Sequence, residues 1–361
     1  MTVLRPLADT FTAAVESGEE RGAIAVMRDG ETLLSLHGGM ASPGRPWQDD
    51  TLACCFSVTK GVLSLLAHIL IDRGTLTLDT RITTLWPAFA AQGKDPTLLD
   101  ILTHRARLPA VSQPVTAGDL YDWDKMTAHL AASAPVVPPG DPVYHNMTYG
   151  HLLGETLRRA TCQPLPKLLH SLATGPLNAD FHLGLTDAQI ARTATLTQDD
   201  PTALFRALDN APDTLFARSM AFFARDEDFN TTRWRQAVIG SGSGHATACA
   251  IATLYGQFIW PDALLSPARQ RALREEQAET AHDPILGIPI RYGQGIELST
   301  PPALDFGPDR NAIGHWGAGG AQGFADPETG LSFGYVTGHM SDQMGSSARC
   351  RRYVAALYDG R

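Results

Sequence analysis

The chain has 361 residues, 43% hydrophobic and 19% charged, with 38 acidic against 29 basic side chains and a formal net charge of −9. That length allows one large domain or two interlocked ones with an ample core, and the composition excludes a disordered or fibrous chain. The acidic balance argues against nucleic acid as a partner. The densest basic group, Arg349, Arg351 and Arg352, reads as the polar face of a terminal helix.

From the start of the chain, Leu4, Leu7, Phe11, Ala14 and Val15 recur at helical spacing and predict an amphipathic helix over residues 4–18. Asp9 interrupts the apolar run, and Glu16, Glu19 and Glu20 follow, so no secretory signal is read here. No stretch is apolar enough to cross a bilayer. A cytoplasmic location with no membrane partner is therefore expected. Two β-like runs, 23–27 and 32–36, flank Asp29-Gly30 and predict a hairpin. Residues 57–73 predict one buried helix closed by Gly74. Cys54, Cys55, Cys162, Cys249 and Cys350 show no metal spacing and read as free, mostly buried thiols.

Residues 85–285 alternate helical patches (99–102, 149–160, 166–173, 246–258) with loops such as Pro135-Val-Val-Pro-Pro-Gly140. Strand patterning returns late, as a hairpin over 323–336, and 347–358 predicts a closing helix. The expected fold is α+β: an antiparallel sheet built from both termini and covered by the terminal helices, with a mainly helical region inserted. The expected division is 1–84 with 286–361 as the sheet domain and 85–285 as the helical domain, the active site lying in the cleft between them.

Three separated motifs carry the chemistry. Ser57-Val58-Thr59-Lys60 places a hydroxyl and an amine one helical turn apart. A serine hydroxyl needs a base, and a lysine serves when burial favours its neutral form. Tyr144-His145-Asn146 offers a phenol for proton relay and an amide for orientation. His315-Trp316-Gly317-Ala318 offers a strand edge whose backbone N–H can meet an oxyanion, with glycine permitting close approach. Taken singly, each also reads blandly, as a helix cap, a packed loop tyrosine and a glycine-rich bend.

In combination and in this order, Ser-x-x-Lys, Tyr-x-Asn and His-x-Gly resemble the class C β-lactamase, DD-peptidase and family VIII carboxylesterase group. The handful of signature residues in related β-lactamases follows the same logic. The likeness extends to Phe56–Gly61, Gly74–Asp79, Leu99–His104, Tyr144–Gly154 and Gly314–Gly320, and so covers about residues 10–358. The resemblance implies that Ser57 is the acylated nucleophile and that Lys60 and Tyr144 share the acid and base work. It implies that Asn146 positions Lys60 and substrate, that His315, Trp316 and Gly317 line the acyl-binding edge, and that the N–H groups of Ser57 and Ala318 form an oxyanion hole. The Ser57 hydroxyl is then expected within about 3 Å of both the Lys60 amine and the Tyr144 phenol, directly or through one water.

The chain departs from that group in three places. Arg105-Ala106-Arg107 replaces a small Thr-Ser-Gly turn and is expected to alter a loop near the cleft. His315 stands where most β-lactamases carry a fixed cation for the drug carboxylate, and Trp316 replaces a small hydroxyl residue. These departures favour a small to medium acyl ester. β-Lactam or D-amino-acid amide hydrolysis is the alternative, and a non-catalytic binding protein on the same fold is the rival of another class. No cofactor or metal is expected: His145, His151, His245, His282 and His315 lack ligand spacing. Gly240-Ser-Gly-Ser-Gly244 reads as a flexible loop bordering the cleft, in preference to a nucleotide loop. Tyr121, Trp123, Phe222, Phe223 and Trp234 are candidates for an apolar acyl pocket.

Overall fold

The computed structural model describes residues 4–200, 202–224 and 227–359. Asp29 and Gly30 both take positive φ, 48° and 82°, the backbone of a tight two-residue hairpin turn. They join β1 (Gly22–Arg28) to β2 (Glu31–Gly38). The remaining strands of this sheet come from the far end of the chain: β3 (Ala278–Thr280), β4 (Ile290–Tyr292), β5 (Glu297–Leu298), β6 (Ile313–Trp316), β7 (Gln322–Asp326) and β8 (Leu331–Thr337). They form one eight-stranded sheet in the order β2-β1-β8-β7-β6-β5-β4-β3. Every pairing is antiparallel, and β1 lies against β8 from Gly22↔Thr337 to Arg28↔Leu331. The return to the sheet begins at Ala278, earlier than residue 286, because the short β3 pairs with β4 at the sheet edge.

The helices include α1 (Arg5–Glu16), α2 (Val58–Asp72), α3 (Thr148–Thr161), α4 (Ala248–Gly256) and α5 (Ala348–Tyr358). Side chains alternate along β1, as the period of a strand requires. Ile24 and Val26 join Phe11, Tyr353 and Leu357 under α1 and α5, while Ala25 and Met27 join Ile251 and Tyr255 of α4. The terminal helices thus cover one face only. The other is covered by α4 and α2, elements from outside the two ends of the chain. Every residue of α2 from Val58 to Leu70 is buried, the position expected of a helix that is apolar on all sides. Among the described residues no helix is long and apolar enough to cross a membrane.

Candidate active site

The turn before α2 sets the nucleophile. Ala53–Cys54 is pinned by pairing with His245–Ala246. Phe56 then takes φ 43°, a left-handed conformation that costs a bulky residue of order 1–3 kcal/mol. Ser57 follows at the head of α2, and its side chain makes no capping bond. Instead its Oγ lies 2.7 Å from Lys60 Nζ, because residues three apart share a helix face. Gly317 lets this turn sit against the end of β6, since a Cβ there would fall 2.2 Å from the Cys55 carbonyl oxygen.

Lys60 is buried, and it makes a second contact, to the Ser241 carbonyl oxygen at 3.0 Å. Burial lowers its pKa to about 7, with Glu297 pulling the other way. The amine is thereby partly neutral at neutral pH. In that form the Ser57 O–H donates to its lone pair while one N–H donates to Ser241.

The Gly240–Gly244 loop borders the cleft, as expected, but it is buried throughout and pinned. The Ser241 Oγ accepts from the Gly150 N–H at 2.6 Å and donates to the Met147 carbonyl at 2.7 Å. Gly150 of α3 permits this approach, because a Cβ there would lie 2.2 Å from the Ser241 nitrogen. Ser241 therefore holds the place beside Lys60 that the resemblance gave to Asn146. The Asn146 amide instead donates to Met220 Sδ at 2.8 Å and lines the cavity.

Tyr144 is held by its N–H, which donates to Asp283 Oδ2 at 2.7 Å, and by stacking on His104 with ring centroids 5.0 Å apart. Lys60 Nζ sits 4.8 Å from the centre of its ring. The buried Tyr144 hydroxyl interacts with Ser57 but has no hydrogen-bond partner of normal length among the described residues. Of the contacts expected from sequence, direct or through one water, that to Lys60 is direct, and no direct bond of normal length reaches the Tyr144 hydroxyl. Burial, reinforced by Glu297, holds the phenol well above its ordinary value, so it stays protonated.

The third motif divides. Trp316 and Ala318 line the cavity beside Ser57, whereas His315 and Gly317 stand behind it. His315 is buried, with Nδ1 bonded to the Trp316 carbonyl at 2.7 Å and Nε2 3.5 Å from Glu297 Oε1. Strand alternation explains this: Trp316 and its neighbour His315 must point to opposite faces. Burial pushes His315 down to about 3 and holds the Glu297 carboxyl well above its usual range. His315 is therefore neutral near neutral pH and presents no cation to a substrate. Glu297 itself escaped the sequence reading, since a lone Glu in a short strand carries no motif. Neither the Ser57 nor the Ala318 N–H donates to a protein acceptor among the described residues, which leaves both for an oxyanion.

The cavity has a volume of about 290 Å³. Its walls include Met220, Phe223, Phe229, Trp234 and Leu286. Of the five aromatic candidates, Phe223 and Trp234 line it. Phe222 is core, Tyr121 backs Trp234 edge-on and donates to Glu227, and Trp123 donates to Glu155 at 2.8 Å. Among the described lining residues the charged ones are Glu227 and Asp342, both acidic, with no lysine or arginine. The adjacent thiols do not compete with Ser57: burial raises Cys54 to about 11 and Cys55 higher still. All five cysteines are free, with Cys162 exposed and Cys249 half-buried.

The whole chain resembles known proteins. The chain is 30% identical over 352 residues to the esterase/β-lactamase LipL of Mycobacterium tuberculosis, covering 92% of this chain and 80% of LipL. A penicillin-binding protein homologue from Caulobacter crescentus superposes with a TM-score of 0.89 at 31% identity, covering 99% of this chain and 97% of the homologue. A family VIII carboxylesterase superposes with a TM-score of 0.86 at 29% identity over the same shares, 99% and 97%. The β-lactamase family model matches residues 7–356, and the chain belongs to that family of serine hydrolases.

Proposed function

We propose that the protein is a carboxylesterase acting on uncharged esters with small to medium apolar acyl groups. The observation that carries this reading is the cavity beside Ser57, walled by apolar and aromatic side chains and lacking a cation among its described lining residues. A carboxylate-bearing substrate would meet Glu227 and Asp342 there, with the neutral His315 turned away to Glu297. In water-poor surroundings an unpaired charge is costly, so an uncharged ester is the better fit.

In this mechanism Ser57 Oγ attacks the ester carbonyl carbon and its proton passes to the neutral Lys60 amine. The oxyanion is received by the N–H groups of Ser57 and Ala318. Tyr144, kept protonated by burial, donates to the departing alkoxide and is reprotonated from the Lys60 ammonium. Water then enters, the neutral Lys60 amine takes its proton as the oxygen adds to the acyl carbon, and the Lys60 ammonium returns a proton to Ser57 Oγ as the acyl–oxygen bond breaks and the acid leaves. Ser241 holds the Lys60 amine in line throughout.

A second reading, β-lactam hydrolysis, is favoured by the double description of LipL as esterase and β-lactamase. One experiment separates the two: steady-state turnover of a short-chain nitrophenyl ester beside a chromogenic cephalosporin, with wild type and Ser57→Ala. The expected result is ester turnover abolished in Ser57→Ala, with cephalosporin turnover at least a hundredfold lower in kcat/KM. Faster cephalosporin turnover would replace this reading by the second.

A further inference from the structure

The Arg105-Ala106-Arg107 turn, where the resembling proteins carry a small Thr-Ser-Gly, does not face the ester cavity. It lines a separate cavity of about 300 Å³ formed with Lys94, Asp95, Asp100 and the Pro135–Gly140 loop, and shares no residue with the first. We propose that this second cavity is a binding site for a small oxyanion carrying at least two negative charges, such as a phosphate or a polycarboxylate.

Three cations border it: Lys94, Arg105 and Arg107. Lys94 is 6% exposed and pairs with no carboxylate among the described residues. Its ammonium donates to the carbonyls of Ala91 at 2.8 Å and Ala131 at 2.7 Å. Its third neighbour is the Phe89 ring, whose centre lies 4.8 Å from Nζ, so Lys94 adds positive charge beside the cavity and the two arginines supply the free donors. Arg105 spends Nε on Thr103 Oγ1 at 3.0 Å, and Arg107 spends Nε on the Val137 carbonyl at 2.9 Å. These bonds fix both guanidinium groups by their inner nitrogen. Their outer nitrogens make no hydrogen bond or ion pair among the described residues, and it is the outer edge of the fork that grips an oxyanion.

The two carboxylates at the rim are already committed. Asp100 Oδ2 accepts from the Thr97 N–H and hydroxyl, both at 2.8 Å, as part of a helix cap. Asp95 accepts from the Thr83 hydroxyl at 2.6 Å and lies 3.9 Å from Arg81. The local balance is thus positive in a protein whose overall charge is −9. Arg107 also holds φ 63°, a left-handed conformation in which glycine would be less strained. A charged residue stands where the backbone favours a small one.

The test is thermal unfolding of the full chain titrated with sodium phosphate and, separately, sodium citrate, against sodium chloride at matched ionic strength. Wild type, Arg105→Gln and Arg107→Gly are compared; the glycine suits the local backbone, so this variant is expected to fold. The expected result is a saturable rise in midpoint with one or both oxyanions, absent with chloride, and weakened at least tenfold in apparent affinity in each variant. A rise with phosphate alone assigns the site to phosphate groups, and a rise with citrate alone to carboxylates. The absence of a saturable rise with either anion, or a rise that survives both substitutions, overturns the proposal. Ester turnover serves as the fold control, since neither arginine lines the catalytic cavity.

Discussion

The Ser241 carbonyl oxygen lies 3.0 Å from Lys60 Nζ, and the Ser241 hydroxyl is tied at both ends to the α3 segment that carries Met147 and Gly150. The lysine is therefore oriented by a backbone group, and that group is held in place by its own side chain. Ser241→Ala removes the tie and leaves the Gly150 N–H buried and unpaired. Such a loss costs about 1–3 kcal/mol. A lower unfolding midpoint together with a fall in kcat larger than any change in KM is expected. A fall in stability with kcat intact would show that the carbonyl does not orient the base.

The protonation of Lys60 sets the pH dependence. Its pKa is lowered to about 7, and only the neutral amine can take the Ser57 proton. Below that value kcat/KM on an uncharged ester should fall tenfold per pH unit, and above it level off. Glu297 raises the lysine, so Glu297→Gln should move this limb to lower pH. A limb that stays in place would mean that Glu297 is uncharged in the free enzyme over the whole range.

Gly317 allows the nucleophile turn to rest on β6. Gly317→Ala would place a methyl 2.2 Å from the Cys55 carbonyl oxygen, and backbone must move to relieve it. Overpacking of this kind costs about 1–3 kcal/mol, and here it displaces Ser57 relative to Ala318. At least a hundredfold loss in kcat with a folded circular-dichroism spectrum is the expected outcome.

Met220 both lines the cavity and accepts from Asn146. Met220→Ala should enlarge the apolar wall and shift the acyl-chain optimum of nitrophenyl esters toward longer chains. An unchanged chain-length profile would place the acyl group elsewhere in the cavity.

Stability should also depend on pH. Burial holds His68, His145, His151 and His245 down at about 4 and His315 at about 3, against 6.5 for an ordinary histidine. The unfolded chain therefore binds protons first as pH falls. The stabilisation from keeping these rings neutral is complete above 6.5 and is lost progressively toward about 4. Glu297, Asp283 and Asp305, raised by burial, take protons more readily when folded and offset part of this loss. The histidines outnumber them, so the unfolding midpoint should drop between pH 6.5 and 5. A flat midpoint over that interval would contradict their buried, neutral state.

What could be read in advance follows the range of the interaction. The Asp29-Gly30 hairpin, the buried helix from residue 57 and the Ser57–Lys60 pair rest on neighbours within one turn. The resemblance implies a flexible loop over 240–244, yet Met147 and Gly150 pin it through Ser241. The resemblance sets His315 at the acyl edge, but alternation along β6 sends Trp316 to the cavity and His315 to Glu297. The Arg105-Ala106-Arg107 turn was expected near the cleft, whereas these residues line the second cavity and none lines the first.

By itself the sequence determined the chemistry available: a hydroxyl and an amine on one helix face, a phenol and a glycine-rich strand end, in a chain that pairs its two ends. Those features depend on backbone periodicity and on which side chains are apolar. Only the tertiary structure decided which groups surround Lys60, because Ser241 is 181 residues away and Glu297 lies on a different strand. Burial by these distant elements is what lowers the lysine toward neutrality, and desolvation belongs to the packed molecule and not to any local stretch of chain.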